Sequence, residues 1–425
     1  MINTIQHIKT LFYQDENSNL VQRVFWNSLY IAFFLLPIDI NYPTPFFAVA
    51  IVSGGINIFK GDKQYLSENK ILLLFPLYFL MLLLSMFYTE NVSDGWYLIQ
   101  RSLTLLLFPV IFLFVKEDGL SVRKLFDFLL YGLIVSFFIN LLMVLYDVFL
   151  FLGNIPPNSS FFDYVKQGWD FFMHVQFSSL VNPGYISLYI LLVLSYYLKK
   201  ELNTIFRLLT VIVLFVYLFL LATESAYFTL FIMALLLLLK VKDKVRRNLL
   251  ILVLVLGTLV FLSNPRIIDL NSNLNARGLK EVSVNNPTIS ESLRLLSWRA
   301  SIKAINEAPL LGYGVGDAHE ELVQKYKQLG YNESYEHRYN AHNQFLETWL
   351  QMGVVGVFAL MLIFTFLAYS MRRSYNEFSV FLALFIALLF ESMLVRFNGI
   401  VFFSIIVPLL LKKRSILSSR IIRNE

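Results

Sequence analysis

The sequence predicts an all-α polytopic membrane protein, with about 12 transmembrane helices and one large loop outside the cytoplasm that contains amphipathic helices. Three observations carry this. Hydrophobic residues make up 57% of the 425 residues and charged residues 15%, at a mean hydropathy of +0.63, which no soluble globule of this size matches. Apolar runs of about 17–25 residues, enough to cross a hydrocarbon core of roughly 30 Å as a helix, recur along the chain. Lys and Arg, finally, cluster on alternate linkers between those runs.

In chain order the apolar segments are 24–40, 44–59, 71–88, 98–115, 124–152, 183–198, 205–222, 225–239, 248–263, 343–369, 376–393 and 396–411. The first 23 residues include Asp15 and Glu16 and lack an apolar stretch leading to a small-residue cleavage site, so no removable signal is expected. The linkers holding Lys60, Lys63 and Lys70, then Lys116, Arg123 and Lys124, then Lys199, Lys200 and Arg207 are basic. So are those holding Lys240, Lys242, Lys244, Arg246 and Arg247, and Arg372 and Arg373, and the tail with Lys412, Lys413 and Arg414. The intervening "DINYPTP", "YTENVSDGWY" and the turn near Thr223 have no Lys or Arg, and Gly153 to Asn182 has only Lys166. Basic loops stay in the cytoplasm, so both termini are expected there.

The net charge of +6 is thereby absorbed as topology facing anionic inner-leaflet lipid, and nucleic-acid binding is not expected. The chain has no cysteine, which excludes disulfides, Cys-ligated zinc and thiol catalysis. Three regions follow: 1–263 with nine spans, a loop over 264–342, and 343–425 with the last three spans and the tail. That loop far exceeds the usual connection between packed helices, which marks it as functional. Its first half, rich in Asn, Ser and Pro, reads as irregular. Its second half places Leu293, Leu296, Ile302 and Ile305 at helical spacing and ends at Pro309, which predicts an amphipathic helix over the membrane mouth.

The candidate chemistry gathers on the outer face. Arg294, Trp298 and Arg299 share the loop helix. Gly312, Gly314 and Gly316 follow in a turn that either caps the helix or offers backbone amides to an anion. His342 and Asn343 stand where the polar loop meets the next span, where either could serve as an N-cap. Gly353 and Gly356 lie further along that span and would let it pack closely against a neighbouring helix. Ionisable groups within or at the ends of spans are expensive and usually face a site. Here they are Arg101, Glu224, and Glu391 with Arg396, the last two placed to pair with each other. Several arginines and a histidine, with no metal cluster, suit a polyanionic lipid headgroup, because Arg binds phosphate bidentately and keeps its charge in a low-dielectric site. A proton or sodium pathway would instead place ionisable groups near mid-span, and spans five to seven have none there.

Arg294 and Trp298, then "APLLGYGVG", then "HNQFLETWLQMGVVG" with His342, Asn343, Gly353 and Gly356 at their spacing, resemble the O-antigen ligase and polymerase superfamily of bacterial envelope proteins. The resemblance implies a metal-independent glycosyltransferase without cofactor in the inner membrane. It would move a glycan from undecaprenyl diphosphate on the periplasmic face, making the large loop periplasmic and catalytic. The acceptor is lipid A–core in ligases and another carrier-linked glycan in polymerases. One departure stands at Glu224, where family ligases tend to carry an Arg. The residues give a compatible mechanism: arginines (Arg294 and Arg101, then Arg299 and Arg396) stabilise the departing diphosphate, and His342 deprotonates the acceptor hydroxyl with inversion at the anomeric carbon. A polyisoprenoid or polysaccharide exporter using the same arginines is the competing reading. Adjacency of Arg and His over an outer cavity favours the transferase.

Overall fold

The computed structural model describes residues 12–13, 19–60, 68–115, 117, 121–153, 168–197, 204–264, 290–372 and 375–412. Among them there is no strand. Helix lies within every one of the twelve apolar segments, though not from end to end.

The helices are α1 (Leu20–Leu35), α2 (Thr44–Lys60), α3 (Leu74–Leu84, extended at both ends by tight turns to Lys70 and Tyr88), α4 (Val92–Ser102) and α5 (Thr104–Phe112). They continue with α6 (Ser121–Gly153), α7 (His174–Phe177), α8 (Pro183–Tyr197), α9 (Thr204–Leu221), α10 (Glu224–Lys240) and α11 (Lys244–Leu262). The large loop contributes α12 (Ser290–Glu307), α13 (Ala318–Gln328) and α14 (Asn332–Glu336). α15 (Gln344–Met371), α16 (Tyr375–Phe390) and α17 (Phe397–Leu411) complete the chain. Five segments are long and apolar enough to cross a membrane: Lys70–Tyr88, Val92–Phe112, Ser121–Phe151, Lys244–Leu262 and Gln344–Met371. The remaining apolar helices are shorter.

The fourth segment differs from the expected 98–115. It begins at Val92 and breaks at Leu103 between α4 and α5. Its polar first turns escape a hydropathy reading because their stabilisation is not hydrophobic. Asn91 caps α4 by accepting from the Asp94 amide at 3.2 Å, and the Glu90 and Asn91 amides both donate to the Asp317 carboxylate at 2.7 Å.

Two cores result. The larger fills the bundle with aromatic side chains, among them Trp26, Tyr30, Phe108, Phe112 and Tyr189, where α1 packs on α2 and α6, and α17 on α5. The smaller joins the loop helices to the N-terminal end of α15 through Leu296, Ala300, Ala304, Leu322, Tyr326 and Leu350. The buried stripe of α12 differs in part from the expected one. Ala300 and Ala304 are enclosed, while Ile302 is half exposed, because the close approach of α13 and α15 selects small side chains. α13 adds first-turn Glu320 and Glu321 and last-turn Lys325 and Lys327, each complementing the helix dipole. The irregular first half of the loop, with residues 265–289, lies outside the described residues.

Candidate functional site

α12 packs on α15, and α16 packs on α8, α10 and α15. Their ends meet at one cluster. The Arg294 guanidinium donates from Nη1 to Glu224 Oε2 at 2.6 Å and faces Glu391 Oε1 from Nη2 at 3.5 Å. The other oxygen of Glu391, Oε2, faces His342 Nδ1 at 3.5 Å. Four residues from four separate parts of the chain thus meet in one ionisable cluster, each side chain only about a fifth to a quarter exposed.

His342 is held by its backbone. It adopts a left-handed conformation, φ +46°, a region in which His and Asn are enriched among non-glycine residues. Its amide donates to Asn340 Oδ1 at 3.0 Å and its carbonyl accepts from the Trp298 indole at 3.2 Å. Trp298 in turn packs at a tilt on Phe390, the last residue of α16. The cap of α15 is Asn343 and not His342: Asn343 Oδ1 accepts from the Phe345 and Leu346 amides at 2.9 and 3.1 Å. The Asn343 side-chain amide also donates to the Leu389 carbonyl at 3.0 Å, fastening α15 to α16. The imidazole is therefore free of capping duty.

Glu391 does not pair with Arg396 as expected. Among the described residues its ion pairs are with Arg294 and His342. Arg396 is exposed, one residue past the tight turn Met393–Val395, and acts on Glu391 only through its field. Burial alone would push the Glu391 carboxyl up. His342, Arg294 and Arg396 outweigh that and hold it below the usual carboxylate range.

Arg101 stands beside this cluster and not in it. In the last turn of α4, its guanidinium lies 3.8 Å over the Tyr97 ring, donates to the Tyr97 hydroxyl and reaches the Val395 carbonyl at 3.4 Å. It therefore borders the turn that links Glu391 to α17. Arg299 is exposed on the far side of α12 from its buried stripe.

The glycines take packing roles. Four of the turn's amides donate to protein acceptors: Gly312 to Ala308 at 3.1 Å, Tyr313 to Leu350 at 2.8 Å, Val315 to Ser85 Oγ at 3.2 Å and Gly316 to Thr89 Oγ1 at 3.3 Å. That bonding favours the capping turn over an anion nest. A Cβ on Gly314, whose φ is +88°, would lie 2.3 Å from Thr89 Oγ1. Gly353 does not serve helix–helix packing. It breaks α15 with φ +63° and ψ −163°, and a Cβ there would lie 2.0 Å from the Leu310 carbonyl oxygen. The break folds Met352 over Gly356, where a Cβ would meet the Met352 Cβ at 2.5 Å.

One site residue was passed over in the sequence, although it is an ionisable group inside the 343–369 segment. Glu347 is buried on α15, and its carboxylate accepts from the Ala341 amide at 3.0 Å and the Ser392 hydroxyl at 3.4 Å. It thereby ties the residue before His342 to the residue after Glu391. A lone carboxylate in an amphipathic helix start looks like a solvated position until its partners are known.

A guanidinium, two carboxylates and an imidazole thus form an ionisable cluster at the end of a bundle of apolar helices, the composition of a membrane protein. Comparison with known proteins then narrows the class. Residues 209–361 match the family model described as O-antigen ligase. This supports the O-antigen ligase superfamily and, at the general level, an enzyme. The matched segment takes in Glu224, Arg294, Trp298 and His342 and ends before Glu391 and Arg396. An uncharacterized protein of Haemophilus influenzae is 25% identical over 364 residues, covering 82% of this chain and 84% of the relative.

Proposed function

We propose that this chain is an O-antigen ligase-like glycosyltransferase of the bacterial inner membrane. It takes a glycan from undecaprenyl diphosphate and joins it to a lipid A–core hydroxyl on the periplasmic face. In this reading all twelve apolar helices cross the membrane, both termini are cytoplasmic, and the loop over 264–342 is periplasmic. The observation that carries it is the Glu391 carboxylate, which faces Arg294 with one oxygen and His342 with the other, each at 3.5 Å. A diphosphate-binding cation and a proton acceptor thus stand side by side, as a transferase needs and an exporter does not.

In the reaction the acceptor oxygen forms a bond to the anomeric carbon as the bond from that carbon to the diphosphate oxygen breaks. Attack opposite the leaving group inverts the centre. His342 takes the hydroxyl proton, and undecaprenyl diphosphate leaves with the bonding electrons. Glu391 beside Nδ1 favours the tautomer that keeps its proton there, which leaves Nε2 as the base. It also stabilises the imidazolium once the proton has moved. A guanidinium carries more N–H donors than two carboxylates consume, so Arg294 retains donors for phosphate oxygens. Arg101 and Arg396 flank the adjacent turn and supply further positive charge. The loss of a family Arg at Glu224 is matched by the reach of Arg294 to that carboxylate.

Lipopolysaccharide from a deletion strain tests the reading. A ligase predicts cores without polymeric glycan and accumulation of carrier-linked chains. Cores bearing a single repeat would make it a polymerase, and an unchanged profile would refute both.

A further inference from the structure

The turn between α12 and α13 is apolar, exposed and fastened to the bundle. Leu310 and Leu311 at its tip are 69% and 59% exposed. Its backbone is bolted into the break of α15: Val354 N–H donates to the Pro309 carbonyl at 3.1 Å and Tyr313 N–H to the Leu350 carbonyl at 2.8 Å. Gly353 supplies the space for that approach.

The break marks a level in the membrane. Before it, α15 carries Gln344, Glu347, Thr348 and Gln351, all buried in protein. After it, Val354–Met371 is apolar and about 27 Å long at 1.5 Å per residue, close to the thickness of a hydrocarbon core. The end of another candidate span gives the same level. Tyr88, where Lys70–Tyr88 stops, donates its hydroxyl to the Leu311 carbonyl at 2.8 Å. The Trp349 indole donates to the Pro309 carbonyl at 2.9 Å. Tyr and Trp at such positions are the anchors of a membrane–water boundary.

We infer that the Pro309–Gly312 turn is seated in the lipid of the adjacent leaflet, with Leu310 and Leu311 as its apolar tip, and that it anchors α12 at a fixed height. The occupant is bilayer phospholipid. On the two helices bonded to the turn, Phe87, next to Tyr88, and Phe358, one turn past Val354, present an apolar flank, 86% and 68% exposed. Irregular backbone is costly in hydrocarbon unless its polar groups are satisfied. Pro309 has no N–H, its carbonyl accepts from Trp349 and Val354 and that of Leu311 from Tyr88, and the Gly312 amide donates to the Ala308 carbonyl. α12 then runs from this anchor to Arg294 at its other end, so the depth of the turn sets the height of the guanidinium. The inference rests on the membrane-spanning architecture and not on the proposed reaction.

The absence of cysteine permits a direct test in the full-length protein. Leu310→Cys and Leu311→Cys each carry an environment-sensitive nitrobenzoxadiazole dye, in phospholipid vesicles free of any glycan carrier. Phe358→Cys marks the lipid face and Arg338→Cys, on an exposed side chain, marks water. The dye at 310 and 311 should emit blue-shifted like that at 358, and nitroxide-bearing lipids should quench it several-fold more strongly than iodide does. Emission and iodide quenching like those at 338 would overturn the inference. Protection from both quenchers would overturn it as well, since the tip would then be covered by a second copy of the chain.

Discussion

Arg294→Gln separates a diphosphate-binding role from a purely structural one, provided that Glu224 is treated with it. The substitution removes a 2.6 Å ion pair to Glu224 and a 3.5 Å approach to Glu391. Both carboxylates are partly open to solvent, so the stability cost should lie near the upper end of exposed pairs, about 1 kcal/mol. Contacts from a guanidinium to a charged group are worth about 1.5–3 kcal/mol. If the diphosphate receives them mainly in the transition state, transfer should fall about tenfold to a hundredfold. Glu224→Gln in the same chain removes the carboxylate left without Arg294. The double variant should therefore recover most of the lost melting temperature in detergent while transfer, measured with carrier-linked glycan in proteoliposomes, stays low. Recovery of transfer along with stability would show that Arg294 serves only to neutralise Glu224.

Three further outcomes follow from the geometry. Gly353→Ala forces a Cβ to 2.0 Å from the Leu310 oxygen in a backbone region that is essentially glycine-only, and should cost about 3 kcal/mol or more. Gly55→Ala, with nothing near the added methyl, should leave the melting temperature level or slightly raised, and equal effects at the two sites would refute the break in α15. The Glu391 carboxyl is held below its usual range, so its pairing stabilises the fold at neutral pH, and that contribution disappears as pH falls through the carboxylate range and below. Glu391→Gln should abolish that component, about 1 kcal/mol, and an unchanged acid profile in melting experiments would count against the pairing.

The apolar helices were legible because each segment displays by itself the apolar composition that hydrocarbon demands, although only five of the described helices reach spanning length. The loop helix α12 was legible from Leu296 and Ile305 for the same local reason, whereas Ile302 misled because α13 and α15 approach on the Ala300 and Ala304 side. Arg294, His342, Glu224 and Glu391 could each be singled out as charges or polar groups at one face. Their pairing could not, since nothing in the spacing of residues so far apart says that Glu391 turns to His342 and not to the nearer Arg396. Gly353 and Gly356 matched helix-packing spacing, but the partner of Gly353 is a turn some forty residues earlier in the chain. Glu347 met the same rule as the other ionisable groups, lying inside the 343–369 segment, but its partners, Ala341 and Ser392, are defined only by tertiary contact.

His342→Asn tests the central claim most directly. Asn tolerates the left-handed backbone at φ +46°, and the cap of α15 is Asn343 in either protein, so folding should be preserved. Loss of a general base costs about 10²–10⁴-fold. Transfer from carrier to acceptor by the purified variant should fall into that range at an unchanged melting temperature. Activity close to that of the unaltered protein would contradict the assignment and move the search for the base to Glu391 or Glu224.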